Sequence, residues 1–158
     1  MRRYIAFACI VLGSTSALAQ TPNSPPSAYG PPIATGEALA LIRSGMEQSA
    51  AKGLKMAFAV VEPSGELVAF AKMDDAPYAS TRLAQQKART SARLRVTTAE
   101  MEGRVQGGRA ALITSDEVLA VGGGAPIISN GRVIGALGVS GATAAEDAAL
   151  ASALVAGR

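Results

Sequence analysis

Histidine and tryptophan are absent from all 158 residues, and there is one cysteine. Each absence removes chemistry. Without histidine, no Ser-His-Asp or Cys-His catalytic pair forms within the chain. A zinc site of the His/Cys type and a histidine ligand for haem iron are excluded in the same way. A lone cysteine builds no disulfide framework. Charged residues are 17% and aromatics 4%, against 49% apolar residues; a disordered, charge-rich tail has the opposite balance. What remains for chemistry is Asp, Glu, Lys, Arg, Ser, Thr, Tyr, backbone amides or a borrowed cofactor.

The length suits one domain. Its first residues read as an export signal over 1–19. Met1-Arg2-Arg3 is a short basic start, and Tyr4 to Gly13 is an apolar run of about ten residues, half of the ~20 that span a bilayer. Ala17-Leu18-Ala19 then supplies a small-residue cleavage site. Cys9 lies inside the apolar run, too early for a lipid anchor. Cleavage after Ala19 leaves 139 residues without cysteine and lowers the formal charge from +3 to +1. A chain without thiols suits an oxidising compartment, so the expected location is periplasmic or secreted. No membrane span is expected after the signal, and a charge of +1 makes no global case for nucleic acid.

Residues 20–34 hold five of the eight prolines (Pro22, Pro25, Pro26, Pro31 and Pro32) and read as an extended, mobile tether. The domain proper is expected over 35–158. Thr35 is the expected N-cap of a first helix, with apolar or small residues at Ala38, Leu41, Ile42, Gly45, Met46 and Ser49 on one face. Met56–Val61 and Leu67–Lys72 flank Pro63-Ser64-Gly65-Glu66 as a hairpin. Tyr78–Arg95 lacks Gly and Pro and predicts a basic helix. Asp75 is a candidate cap for it, with Pro77 opening the first turn. Thr97-x-x-Glu100 predicts a capping box and a short helix to about Arg104. Ala110–Ile113 and Val118–Val121 carry a weak strand preference. Asn130-Gly131 joins a second hairpin, whose return strand Arg132–Ser140 has Gly135 and Gly138 leaving its surface open on both faces. An alanine-rich helix from about Thr143 to Val155 ends the series. Tight hairpins give an antiparallel sheet, and helices covering it give an α+β layered domain.

Two stretches carry a resemblance. The first is Phe70-Ala71-Lys72-Met73-Asp74-Asp75-Ala76-Pro77-Tyr78-Ala79-Ser80 with Lys87-Ala88-Arg89-Thr90-Ser91-Ala92. The second is Gly122-Gly123-Gly124-Ala125-Pro126-Ile127 with Gly131 to Gly141 and Asp147. Together they resemble the GlcG/HbpS family of haem-degrading-domain proteins, over roughly Gly36 to Ala156. The resemblance implies a profilin-like antiparallel sheet flanked by helices, assembling as a homo-oligomer of two or more copies. It also implies haem as a cofactor in some members, while other members have no settled activity. This chain departs from the pattern by lacking histidine and by carrying Asp75 where the family usually has Gly.

Without histidine, the iron donors left beyond the signal are Met46, Met56, Met73, Met101, Tyr29 and Tyr78. Met46 and Met56 fit apolar faces, and Tyr29 falls in the tether. Tyr78 reads either as an iron ligand at the helix entry or as a lid packed on the sheet. Arg82, one turn on, is placed to pair with a propionate. The basic helix is either a solvated face or an anion site of Arg82, Lys87 and Arg89, with Lys87 and Thr90 inside the resemblance motif. Gly122, Gly123 and Gly124 are either an amide nest for an anion or a turn before Pro126. Ser80 joins the ligand-binding candidates. As catalytic candidates, Asp74, Ser80 and Lys87 are what the residue types allow. Only Phe70 and Tyr78 follow residue 60 as aromatics, too few to stack nucleic-acid bases. The expected function is an exported protein binding a small planar or carboxylated molecule, haem among the candidates. Two other readings stand beside it: an enzyme acting on a small carboxylated metabolite, and an accessory subunit of a periplasmic oxidation system.

Overall fold

The computed structural model describes residues 27–156; the export signal expected over 1–19 and the first part of the tether lie outside them. The elements follow in the order α1 (Thr35–Ala51), β1 (Ala57–Val61), β2 (Leu67–Lys72), α2 (Ser80–Leu94), α3 (Thr98–Gln106), β3 (Gly124–Ser129), β4 (Arg132–Ser140) and α4 (Ala144–Val155), with a 3₁₀ turn at Ala110–Thr114. The strands form one sheet in the order β2-β1-β4-β3, and each neighbouring pair is antiparallel. Asn130 (φ 49°) and Gly131 (φ 71°) are both left-handed, the geometry a two-residue hairpin turn demands. The fold is α+β, with helices on both faces of the sheet.

β1 is buried at every position. Its alternation sends Phe58 and Val60 to one face and Ala57, Ala59 and Val61 to the other. On the first face, Leu41 and Ile42 of α1 and Leu150 and Leu154 of α4 close over Phe58, Val60, Leu137 and Val139. Burying side chains of this size stabilises by about 1.5–3 kcal/mol each. On the second face lies α2, and alanine meets alanine: Ala84, Ala88 and Ala92 rest on Ala57, Ala59 and Ala136. Gly138 is what allows this. A methyl group there would run into the Ala84 carbonyl and the Ala88 amide.

Several sequence expectations need correction. The N-cap of α1 is Ala34 and Thr35 is already helical; no side chain caps this end. α2 starts at Ser80, after a turn in which the Pro77 carbonyl accepts from Ser80 and the Ala79 carbonyl from Arg82. Asp75 is therefore not its cap; it sits at φ 64° in the preceding loop. Thr97 caps α3 as expected, but Glu100 reaches forward to Arg104 (2.6 Å) instead of back, so the box is half made. The complete box is at α4, between Thr143 and Glu146. Ala110–Ile113 is a 3₁₀ turn and Val118–Val121 is not a strand. The backbone there is held by a side chain instead of a ladder: Thr90 Oγ1 accepts from the Leu119 amide (2.9 Å) and donates to the Glu117 carbonyl (3.0 Å). Gly135 and Gly138 do not leave β4 open; Ile33 covers one and α2 the other. Within the proline-rich stretch, Ala28 to Ile33 runs along β4, exchanging backbone hydrogen bonds with Val133 and Ile134.

Candidate functional site

The close seat of α2 fixes where its long side chains go. Positions Ala84, Ala88 and Ala92 press on the sheet, so Arg82, Gln85, Gln86 and Arg89 fall on the flank that overhangs β2. With Glu66 and Leu67 from the β1–β2 hairpin they line a groove of about 280 Å³. Val61 contributes apolar floor, and Leu67 is half-exposed at 50%. Among the described residues, Arg82 makes no ion pair. Arg89 has only a loose approach to Glu66, at 3.7 Å. The groove thus offers guanidinium and amide donors above an apolar base, the combination that takes a carboxylate on an apolar body.

Lys87 points elsewhere. It is buried, and its Nζ donates to Asp147 Oδ2 at 2.6 Å and to the Val139 carbonyl at 3.1 Å. This pair ties α2 to the start of α4 around the end of the sheet. Burial pushes the Asp147 carboxyl above its usual range, opposed by the Lys87 ammonium and by the Ala142 and Gly141 backbone. Gly123 (φ 127°) lies on the pair: a methyl group there would meet Lys87 Nζ at 2.9 Å. Lys87 is consumed inside the protein and faces no open site.

The glycine run is occupied as well. The Gly122 amide donates to Glu102 Oε2 (2.9 Å) and the Gly124 amide to Thr98 Oγ1 (2.7 Å). Two of the three amides of the expected anion nest are thus satisfied by α3. Pro126 sits in β3, half-buried, and Thr90 anchors the 117–119 segment. Beside it, Arg93 holds Glu117 at 2.6 Å and keeps that carboxyl below its usual range.

The remaining candidates do not converge. Asp74 is exposed, Ser80 is buried at the start of α2, and Lys87 is held by Asp147. No hydrogen bond joins the three. Tyr78 is not a lid on the sheet; it is 94% exposed, with Lys72 Nζ 5.6 Å from its ring centroid. It lines a depression of about 340 Å³ with Lys72, Asp75, Ala76 and Pro77, separate from the groove. Met56 and Met101 are core, as is Met73. Among the described residues, no group of three His, Cys, Asp or Glu side chains is placed to hold a metal ion, and no helix is long and apolar enough to cross a membrane.

Sequence reasoning named Arg82 and Arg89 but missed Gln85, Gln86, Glu66 and Leu67. The signal was available: Arg82, Gln85, Gln86 and Arg89 repeat at i, i+3, i+4 and i+7, a single helix face.

Comparison with known proteins bears on this arrangement. A family profile described as "Haem degrading protein HbpS-like" matches residues 33–156. Protein GlcG of Escherichia coli (strain K12) is 38% identical over 103 residues, 65% of this chain and 77% of that protein. The crystal structure of Klebsiella pneumoniae protein ORFY superposes with a TM-score of 0.75 at 28% identity, covering 84% of this chain and 94% of that one. A PduOC:heme complex superposes with a TM-score of 0.71 at 25% identity, covering 79% and 94%.

Proposed function

The chain belongs to the HbpS-like family, and from that premise we propose that it is an exported protein that binds a small planar, carboxylated ligand in the groove between α2 and β2. The observation that carries this reading is the placement of Arg82 and Arg89 over Val61 and Leu67. A PduOC relative binds haem, and haem has the required shape and acid groups. The groove fits its propionates. It does not fit its iron: none of the lining residues is an iron donor, and Tyr78, the exposed phenol, lies in the other depression. Ligand binding here is therefore recognition of carboxylates and of a flat apolar body, with no step assigned to iron. The protein acts as an oligomer of identical chains after removal of residues 1–19.

Titration with hemin, followed at the Soret band, tests the reading. Saturable one-to-one binding is expected. Arg82→Gln with Arg89→Gln should weaken it by about tenfold or more, since charge-assisted hydrogen bonds are worth about 1.5–3 kcal/mol each. Tyr78→Phe should leave the Soret position unchanged if recognition runs through the carboxylates. Unsaturable uptake indifferent to the arginines would remove haem and send the search to smaller carboxylates. N-terminal sequencing of the exported protein should begin at Gln20; retention of Met1 would refute export by cleavage.

A further inference from the structure

Three charged side chains line the groove: Arg82, Arg89 and Glu66. Together they carry one positive charge, which a single carboxylate neutralises. The charges are not spread evenly. Arg82 and Arg89 lie seven residues apart on α2, so their backbones are separated by about 10 Å along the helix axis. Glu66 stands only at the Arg89 end, with one oxygen 3.7 Å from that guanidinium and equally far from Arg93. Arg93 is already engaged: it donates to both Glu117 oxygens at 2.8 and 2.6 Å and to the Ser64 carbonyl at 2.6 Å. The bond to Ser64 fastens the tip of the β1–β2 hairpin to α2. Within that tip the Glu62 amide donates to the Glu66 carbonyl at 2.9 Å, and the Gly65 amide to the Glu62 carbonyl at 2.9 Å. Gly65, at φ 90°, permits the close seat, since a methyl group there would meet Arg93 Nε at 2.8 Å and Arg89 Cγ at 2.9 Å. Glu66 is therefore held beside Arg89 by the hairpin backbone and not by the strength of its own contact. At 3.7 Å that contact is too long for a hydrogen bond. Both side chains are open to solvent, at 49% and 68%, so the pair is weak and displaceable.

We infer that Glu66 selects the ligand by charge. It occupies the second of two anion seats, so a ligand's first carboxylate goes to Arg82 and a second reaches Arg89 only by displacing Glu66. The ligand class is thus a flat apolar body carrying one carboxylate, in preference to the same body carrying two. Between the seats, Gln85 already donates to the Thr81 carbonyl at 3.0 Å, and Val61 and Leu67 supply apolar surface. The middle of the groove therefore takes the ligand's body and no further charge. A second carboxylate that does not displace Glu66 lies beside a like charge, and like charges in contact lower affinity for the wrong ligand more than they raise it for the right one. The inference rests on the groove being the ligand site.

Calorimetric titration of the intact protein tests it. The probes are naphthalene-2-carboxylate and naphthalene-2,6-dicarboxylate, rigid flat acids that differ only in a second carboxylate at the far end. The wild type should bind the monoacid at least as tightly as the diacid. Glu66→Gln should raise diacid affinity by about fivefold and leave the monoacid within about twofold, the scale of a loose surface ion pair. Glu37→Gln makes the same change in net charge on exposed α1, across the sheet, and should alter neither acid. Glu66→Gln/Arg89→Gln should lose the gain, because the freed seat is gone. A wild type that already prefers the diacid overturns the selector. So does an equal rise for both acids, the same rise in Glu37→Gln, or a gain that survives the loss of Arg89. The groove and the selector fail differently. Monoacid binding that Arg82→Gln abolishes, with no diacid gain in Glu66→Gln, leaves the groove standing and removes the selector. Neither acid nor hemin bound by the wild type or by Glu66→Gln refutes the groove, and the selector with it.

Discussion

The two faces of the sheet are built on opposite principles. Toward α1 and α4 the strands present Phe58, Val60, Leu137 and Val139, and stability comes from buried volume. Toward α2 they present alanine, Val61 and Gly138, and the helix backbone comes down almost onto the strand. The thick face tolerates some repacking, as large apolar cores do. The thin face has no side chains with which to adjust. It fixes the position of α2, and so of Arg82, Gln85, Gln86 and Arg89, relative to β2. Its buried ion pair, Lys87–Asp147, lies at the rim where α2 meets α4. A face that stabilises little by area but sets position closely is where a binding groove is best placed.

The largest effect should come from breaking that rim. Lys87→Met leaves Asp147 buried without its cation, and Asp147→Leu strands the ammonium. Each should cost about 3–5 kcal/mol in urea unfolding, while Lys87→Met/Asp147→Leu together should recover most of it, because buried pairs replaced by apolar residues are often neutral. If the double variant is no better than the singles, the pair holds α2 to α4 by geometry that packing cannot replace.

Two adjacent residues of β4 sharpen the contrast. Val139 points to the thick face and Gly138 to the thin one. Val139→Ala should cost about 2 kcal/mol, the loss of two methyl groups and a small cavity, and leave ligand affinity unchanged. Gly138→Ala adds one carbon where none fits, at about 1–3 kcal/mol. It must also lift α2, so hemin affinity should fall with it. Equal effects of both variants on affinity would mean that the thin face does not position the groove.

Most of the fold was legible because its signals are local. The Asn130-Gly131 turn, the apolar run of β1 and the Thr97 cap each lie within a few residues of what they determine. The misread parts depend on distant partners. Ala110–Val121 has the composition of strands, but Thr90, Arg93 and Glu117 hold that region in place of a ladder. Lys87 read as a ligand residue because sequence does not show that Asp147, sixty residues on, lies beneath it. The glycine run read as either an anion nest or a turn, and the nest stayed open because sequence does not show Glu102 and Thr98 reaching it from another helix. In each case a side chain satisfies the backbone or charge from a remote element, and no period or motif encodes that.

The smallest expected effect is the pH dependence, and it too divides by burial. Asp147, at the buried rim, is raised above its ordinary 3.8 by burial. As pH rises past 3.8 the unfolded chain gives up this proton first while the folded chain still holds it. Stability from this group is therefore full below 3.8 and falls as pH climbs to the raised value. Glu117 and Glu146 behave oppositely. Hydrogen bonds from Arg93 and from Thr143 hold them below their ordinary 4.5, so their contribution is full above 4.5 and fades as pH falls through their lowered values. Both are solvent-screened surface groups, so theirs is the weaker slope. Glu117→Gln/Glu146→Gln removes it, and unfolding midpoints measured from pH 3 upward should then show the Asp147 decline alone, steeper than in the wild type just above 3.8. In Lys87→Met/Asp147→Leu the decline should vanish while the acid-side loss remains. A decline that persists without Asp147 would place the buried proton on some other group and detach the rim from the acid behaviour of the fold.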